Sequence, residues 1–273
     1  MLTKIYLSIF RQSIFVLFLL VGGVMTDGSV AQSALQGVDL SSPEMTEAEM
    51  SRDELLALLS AASPDRPADL TRKRLSGLDL SGVDFKGAIL RSARLNGTRL
   101  RDADLTGAVL DQAWMLGADL SGAKMKGVSL FQTQMGKAVL DAADLSEARI
   151  TADLTKASLK NATLAGADLS ADMRNQSMGM MRGVLRSADL DGADLSGANL
   201  SRVDLEFSSL KGANLEDANL MSAELGGADL TGARIAGANF NRADVTSTTL
   251  KSLDGEAQSN LASAANLGAA IRR

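Results

Sequence analysis

The sequence predicts an all-β solenoid, in which short β segments stack into coils along one rod. The first observation is a five-residue period, because a Leu or a Leu-like residue occupies nearly every fifth position between residues 70 and 250. The second is the unit around each central Leu, A-(D/N)-L-x-x, as in Ala103, Asp104 and Leu105. A helix does not fit this period, since a five-residue step rotates a helix by about 140° and scatters the Leu side chains around it. The repeat therefore dictates the fold.

The units fall into three runs. The first holds 17 units centred from Leu70 to Ile150, the second 4 units from Leu154 to Leu169, and the third 14 units from Leu185 to Leu250. Of these 35 units, 25 have Ala two residues before the centre, so a column of small side chains should lie beside the Leu column in the core. Fifteen have Gly two residues after the centre, which indicates a turn with positive φ.

This pattern resembles the pentapeptide-repeat family over about two-thirds of the chain, residues 68–252. The resemblance implies a right-handed quadrilateral parallel β-helix with one unit per side and four units per coil, hence about nine coils. At a strand spacing of about 4.8 Å, the rod would be about 40 Å long. Some members of the family bind type II topoisomerases by imitating duplex DNA and protect cells from quinolones. A cytoplasmic DNA-mimic regulator of a topoisomerase is therefore one function that the resemblance implies.

Residues 1–31 are typical of a secretory signal peptide. Lys4 and Arg11 precede an apolar stretch over residues 14–25, and residues 29–31 form a small-residue cleavage site. The apolar stretch after Arg11 is 12 residues long, which is short for a bilayer span. The chain has no Cys, which excludes both a disulfide framework and a lipidated Cys at the cleavage site.

We therefore expect a periplasmic or secreted protein in a bacterial cell envelope. Two alternatives stay open. Residues 5–25 could form an uncleaved membrane anchor with Arg11 buried inside it, or the whole protein could stay in the cytoplasm.

Two short helices are expected to cap the rod. In the lead-in segment, residues 32–67, Ser51 and Glu54 form a capping-box pattern before an apolar run, and Pro64 ends the helix. Residues 253–273 have a helical composition and predict a C-terminal capping helix. Such caps cover the unpaired backbone groups of the terminal coils. The C-terminal helix could also join two copies, so a monomer and a homodimer both stay open.

The register breaks between residues 151 and 184. One residue is missing near Thr151, and one extra residue precedes Leu185. Residues 170–183 are expected to form either three distorted units, with centres at Met173 and Met180, or a small bulge.

The same segment concentrates methionines: Met173, Met178, Met180 and Met181. Clustered thioethers are soft ligands for Cu(I), so metal binding is a third functional interpretation. The alternative is that Met fills a core where regular Leu packing fails.

With four units per coil, residues 20 apart stack on one side of the rod. Two such columns are the candidate partner-binding residues: Asp204, Glu224 and Asp244 in the second half, and Arg74, Arg94 and Trp114 in the first. In the basic column an Arg should lie near the indole. A third column, Asn199, Asn219 and Asn239, predicts an amide ladder. The alternative for all three is that they serve solubility and hydrogen bonding along the rod.

The charge of the chain argues against both DNA mimicry and direct nucleic-acid binding. The chain has a net charge of −5, and residues 68–252 hold 23 acidic and 22 basic side chains. Duplex DNA carries about one negative charge per 1.7 Å, so a near-neutral rod imitates it poorly. A signal peptide would also separate the protein from any topoisomerase. No extended basic face with interleaved aromatic residues is present, so we expect no direct nucleic-acid binding.

Enzyme chemistry is not expected either. The chain has no His and no Cys, which removes the usual general base, the thiol nucleophile and most transition-metal ligands. The carboxylates before the Leu centres belong to the repeat. We therefore expect no catalytic residues and no cofactor. The sequence favours an exported, non-catalytic scaffold that contacts an unidentified protein or envelope component.

Overall fold

The computed structural model describes residues 38–171 and 181–273, and within them the repeats form a parallel β-helix with four sides. Each unit contributes one β-bridge residue, the one before its centre. This residue pairs with the bridge residue about 20 positions later. Four columns of bridges result. We number them 1 to 4 by their first members, Asp69, Arg74, Asp79 and Asp84.

Backbone hydrogen bonds explain why a five-residue unit suffices. The Leu95 N–H donates to the Trp114 carbonyl of the next coil at 2.6 Å, and the Arg94 N–H donates to the Lys73 carbonyl of the previous coil at 2.8 Å. All 15 glycines that follow a centre by two residues have positive φ, as predicted. Other residues adopt the same conformation there, such as Lys137 at φ 61°.

The core contains the Leu column and the Ala column that the repeat predicts. The described centres and nearly all described Ala residues two positions before them are buried in one continuous cluster. Where Thr replaces Ala, its hydroxyl is satisfied: Thr133 Oγ1 donates to the Leu110 carbonyl at 2.9 Å. The interior of the rod is therefore filled by side chains of the repeat.

The Asp or Asn of each unit has a structural role. Asp79 Oδ1 accepts the Ser81 N–H at 3.1 Å and the Ser81 hydroxyl at 2.7 Å, which closes the corner of the coil. The same turn occurs along all four columns, for example at Asp69, Asp153 and Asp104. These side chains offer the backbone a local acceptor where the ladder bends.

The N-terminal end is capped by two helices, α1 (Pro43–Thr46) and α2 (Arg52–Ser60). The predicted capping box is present, with Ser51 and Glu54 bonded reciprocally. Leu55 of α2 is fully buried in the core cluster. The Arg52 guanidinium donates to the carbonyls of Asp79 at 3.0 Å and Ser81 at 3.3 Å. The helix thus covers the first coil with both apolar and hydrogen-bonding groups.

The C-terminal capping helix predicted for residues 253–273 is wrong. The segment forms three short 3₁₀ turns, Glu256–Gln258, Leu261–Ser263 and Leu267–Ala269. Asp254, Ala265 and Ile271 extend columns 4, 2 and 3. The extended backbone is more stable than a helix here because it pairs with the previous coil. The Leu250 N–H donates to the Ile271 carbonyl at 2.8 Å, a hydrogen bond that a helix would not make. A homodimer joined by such a helix loses its basis, and the oligomeric state stays a prediction.

The register break has two parts. The missing residue near Thr151 is confirmed, because Arg149 and Asp153 are successive bridges in columns 1 and 2 and lie four residues apart. The next step from column 1 to column 2 runs from Asp168 to Val184, or 16 residues, where a regular step takes five. The chain re-enters beside its exit, since the Gly183 N–H donates to the Leu169 carbonyl at 3.0 Å.

The prediction of three distorted units over residues 170–183 is therefore wrong. Three units would carry the chain past three sides, but Val184 bridges Asp153 and Asp204 in the next column after Asp168. The segment is an insertion at one corner. Residues 172–180, with the proposed centres Met173 and Met180, lie outside the described residues.

No helix in the described ranges is long and apolar enough to cross a membrane. The signal peptide predicted for residues 1–31 and the alternative anchor at residues 5–25 lie outside these ranges.

Candidate interaction surface

All six partner-binding candidates lie on one side of the rod, in column 2. Both predicted columns exist, because Arg74, Arg94 and Trp114 are successive bridges and so are the three acidic residues. The column-2 face is defined by these residues in order: Arg74, Arg94, Trp114, Gln134, Asp153, Val184, Asp204, Glu224, Asp244 and Ala265. Sequence reasoning missed this coincidence, since it depends on the path of the chain through the register break.

The basic end of the column-2 face lies against the N-terminal lead-in. Glu49 accepts from Lys73 Nζ at 2.9 Å and from Arg74 Nε at 3.4 Å. Hydrogen bonding to Lys73 is the main reason that the pKa of Glu49 is lowered. The Nε of Arg94 is buried and has no hydrogen-bond acceptor among the described residues. The first two coils therefore present cations that their own acidic neighbours only partly neutralise.

The predicted contact between an Arg and the indole of Trp114 is not found among the described residues. The cation–π contacts there join Arg149 to Phe131 at 5.8 Å and Arg186 to Phe207 at 5.6 Å. A shared column fixes the backbone spacing of Arg94 and Trp114 but not the angle that places a guanidinium over a ring face.

The acidic end of the column-2 face is an ion-pair network rather than a free acidic strip. Asp204 is only 5% exposed, and its carboxylate lies 3.2 Å from Arg186 Nη1. Arg182 binds both carboxylate oxygens of Glu224, at 2.6 and 2.7 Å. Burial by itself lowers the pKa of each guanidinium, but the neighbouring carboxylates outweigh it and the pKa values of Arg182 and Arg186 are raised.

The acidic column thus divides into two kinds of residue. Asp204 and Glu224 are held by arginines inside the face. Asp244 has no ion pair in the part of the chain that the structure describes, and its Oδ1 accepts from Thr246 and, at 3.0 Å, from Asn266 Nδ2. Of the three, Asp244 alone offers its charge to a partner without breaking a salt bridge.

An exposed aromatic residue that sequence reasoning missed borders this network. Phe207 is 61% exposed and has φ 59°, a conformation that bulky side chains rarely adopt. Its ring lies under Arg186 and over Gly227, where an added Cβ would come within 2.7 Å of a ring atom. The signal in the sequence is a Phe at the turn position that Gly occupies most often.

The predicted amide ladder is confirmed in column 1 and extends at both ends. Asn219 Nδ2 donates to Asn199 Oδ1 at 3.3 Å, and Asn239 Nδ2 donates to Asn219 Oδ1 at 3.0 Å. Asn199 donates to Asp168 at 3.1 Å, and Asn260 donates to Asn239 at 2.8 Å. These amides stabilise the stacking of the coils, because each one is hydrogen-bonded to an adjacent coil.

The described residues contain no group of three His, Cys, Asp or Glu side chains placed to hold a metal ion. Of the methionine cluster, Met173, Met178 and Met180 lie outside the described residues. Met181 is described, and its Sδ accepts from Gln132 Nε2 at 3.3 Å. Cu(I) binding stays a prediction.

A groove with a volume of about 780 Å³ lies at the N-terminal tip, between α2 and the first coil. Apolar groups line much of it, including Leu56, Leu59, Pro64, Pro67 and Val83. It lies away from the column-2 face.

Known proteins share the repeat. The family model described as pentapeptide repeats matches in 8 copies, over residues 68–107, 103–141, 184–217, 198–235 and 213–251. Among curated proteins, no sequence matches significantly.

Solved structures show the same likeness. HetL, a pentapeptide repeat protein involved in heterocyst differentiation regulation from the cyanobacterium Nostoc sp. strain PCC 7120, is 32% identical over 82% of this chain and 97% of that chain, with a TM-score of 0.42. QnrB1, a plasmid-mediated fluoroquinolone resistance protein, is 19% identical over 73% and 89%, with a TM-score of 0.45. A pentapeptide repeat protein of the Arabidopsis thaliana thylakoid lumen is 27% identical over 50% and 70%, with a TM-score of 0.23.

The repeat model covers just over half of the residues. The chain belongs to the pentapeptide repeat family.

Proposed function

We propose that the protein is an exported, non-catalytic scaffold of the bacterial cell envelope, with the column-2 face as its contact surface for a protein or envelope component. The observation that carries this proposal is that the inner and outer positions of each unit hold different kinds of residue. Leu and Ala fill the interior, so side chains that differ from coil to coil occur only on the outer columns and corners. Long flat faces with varied side chains suit contact with a large partner. In this proposal the coil is right-handed, the hand that the family resemblance implies.

The column-2 face supports the proposal by its composition. It changes along the rod from two arginines and a Trp to an ion-pair network bordered by the exposed Phe207. Aromatic and arginine side chains dominate the energetics of protein interfaces. The amide ladder of column 1, in contrast, uses its side chains to bond successive coils to each other.

Export is tested by fractionating cells that express the full chain and sequencing the N-terminus of the product. We expect a periplasmic species that begins near Gln32, while a variant lacking residues 2–31 stays in the cytoplasm. A full-length membrane-bound species would indicate the anchor at residues 5–25. A full-length cytoplasmic species would contradict export and make a gyrase supercoiling assay the next experiment, because it would revive the topoisomerase alternative.

The contact surface is tested with a photo-reactive phenylalanine analogue placed at single positions in cells. Position 114 on the column-2 face should form crosslinks to a partner. Position 163 in column 4, on the other side of the rod and likewise part-exposed, is the matched control and should form none. Equal crosslinking at Trp114 and Thr163 positions would contradict the assignment of the face.

A further inference from the structure

The basic end of the column-2 face has more cations than its acidic neighbours neutralise. The first two coils carry five cationic side chains within column 2 and the corner before it: Arg72, Lys73, Arg74, Arg91 and Arg94. Glu49 pairs with two of these cations, and Asp111 lies 3.8 Å from Arg91. Arg72 and Arg94 have no ion pair in the described ranges.

Arg94 is one of the two cations without a counter-charge in the described ranges. Its Nε is buried and has no hydrogen-bond acceptor, although buried charged donors in proteins are nearly always bonded. Its bridge partner on one side is Arg74, so the backbones of two arginines lie one coil apart, about 4.8 Å. Only Arg74 of this pair is compensated, by Glu49. An anionic group beside the Arg94 guanidinium would supply a counter-charge that the described residues do not.

On its other side Arg94 bridges Trp114, the single Trp of the chain. The indole is part-exposed, and the next member of the column is Gln134. Two more amides lie at the adjoining corner, where Gln112 Nε2 donates to Gln132 Oε1 at 3.2 Å. Beyond the basic pair, the face therefore offers one flat ring and several neutral hydrogen-bonding groups, all in line along the rod axis.

We infer that this end of the column-2 face binds an acidic polysaccharide, with Arg72 and Arg94 on its carboxylate or phosphate groups and Trp114 against a sugar ring. Guanidinium groups recognise such oxyanions, and an indole supplies an apolar platform with a polar edge. The glutamine amides match sugar hydroxyls, which both donate and accept hydrogen bonds. The proposal rests on the proposed function only in taking this face as the contact surface.

Duplex DNA fits the same surface less well. Further along the column lie Asp153 and Asp244, which have no ion pair in the described ranges and repel a polyanion that continues along the rod. At this basic end only two arginines, Arg72 and Arg94, have no ion pair in the described ranges, whereas tight binding to duplex DNA engages many phosphates at once. A flexible chain with spaced charges can confine its anionic groups to the first coils.

The fluorescence of Trp114 tests the proposal directly, since no other Trp contributes. The purified full chain is titrated with polygalacturonate, with neutral dextran and with a short DNA duplex, and calorimetry on the same samples gives the affinity. Polygalacturonate should shift the Trp114 emission with saturation, and added salt should weaken its binding. Dextran and DNA should bind much more weakly.

Variants separate a site from general charge. Arg94→Gln should weaken polygalacturonate binding about tenfold or more, while Arg94→Lys should retain part of the affinity. Arg242→Gln is the matched control, because Arg242 is exposed and follows a column-1 centre by two residues, as Arg72 does. Urea unfolding of each variant verifies that it is folded.

Several outcomes would overturn the proposal: no emission shift with polygalacturonate, equal binding of dextran, tighter binding of the DNA duplex, or equal losses in the Arg94 and Arg242 variants. The binding is measured in solution and does not depend on where the protein resides. If the protein is periplasmic but does not bind polygalacturonate, this inference is wrong and the scaffold proposal is unaffected. If the protein is cytoplasmic and binds polygalacturonate, only the proposal of export is contradicted.

Discussion

Arg182 and Glu224 form a two-point salt bridge across 42 residues of sequence, with Nη1–Oε1 at 2.6 Å and Nη2–Oε2 at 2.7 Å. Arg182 ends the insertion that interrupts the rod, and its Nη1 also donates to the Arg202 carbonyl at 3.1 Å. One guanidinium therefore ties the re-entry point of the chain to the two coils that follow. The same contact neutralises a residue that the sequence presents as part of an acidic column.

We expect Asp204→Asn to lower the free energy of unfolding by about 2 kcal/mol, because it removes the buried carboxylate between Arg186 and Arg182 and leaves them only the more exposed Glu206 and Glu224. Asn keeps the turn acceptor for the Glu206 N–H, so the loss reports the ion pairs alone. Asp244→Asn is the matched control and should change stability by less than about 0.5 kcal/mol. Urea unfolding at neutral pH measures both, and equal losses would show that the arginines contribute little.

The turn position that follows each centre by two residues should respond to backbone conformation. Gly82 has φ 69° and open space around an added Cβ, so Gly82→Ala should cost about 1 kcal/mol from strain alone. Gly255 lies beyond the last repeat unit but also has positive φ, 77°, and Gly255→Ala should cost more, because its Cβ would lie 2.6 Å from the Ala236 Cβ. Lys137→Gly should stabilise the rod by about 0.5 kcal/mol or more, since Lys137 has φ 61°.

Gly268→Ala is the control for this series. Gly268 has open space and no positive φ, so its substitution should be nearly neutral. Thermal or urea unfolding ranks the four variants. A Gly82→Ala variant as stable as the parent would contradict the strain argument.

The turn carboxylates predict acid lability. Hydrogen bonds from the Ser81 hydroxyl and N–H, with a contribution from Arg99, lower the pKa of Asp79 from 3.8 to about 2. Because the folded pKa lies below the unfolded one, this carboxylate stabilises the fold above about pH 4 and loses that contribution as the pH falls through about 2. The pKa values of Asp69 and Asp244 are lowered as well.

We therefore expect the urea midpoint to fall as the pH drops from about 4 to about 2. Ser81→Ala should flatten this dependence, because the hydroxyl is the largest cause of the lowered pKa of Asp79. Ser92→Ala is the control, since its hydroxyl contacts Gln112 rather than a carboxylate. A Ser81→Ala variant with the parental pH profile would contradict the role of the turn.

The insertion should be removable. Deleting residues 172–182 leaves Ser170, Ala171 and Gly183 between Leu169 and Val184, the three linking residues of a regular unit. We expect a folded rod with the same β signature in circular dichroism and a stability loss of about 1–2 kcal/mol, from the Arg182 ion pairs. The matched variant Arg182→Gln should show a similar loss. An unfolded deletion protein would mean that the insertion is needed to connect the two parts of the rod.

The local structure of this protein follows from its amino-acid pattern alone. The burial of the Leu centres, the positive φ of the repeat glycines, the capping box at Ser51 and the amide ladder from Asn199 all follow from chemistry that repeats every unit or every coil. Such features depend on near neighbours, so the pattern of residue types is enough to predict them.

Which columns share a face depends on the path of the chain through the whole rod. Counting in steps of 20 puts Arg74 and Asp204 on opposite sides of the rod, because they lie six and a half coils apart. The four-residue step to Asp153 and the 16-residue step to Val184 bring them into one column. The spacing of the repeat predicts the four-residue step but not the 16-residue step, since the latter is set by the backbone hydrogen bonds that the re-entering segment makes with the coil before it. The same non-local pairing draws residues 253–273 into the coil, where their composition alone predicts a helix.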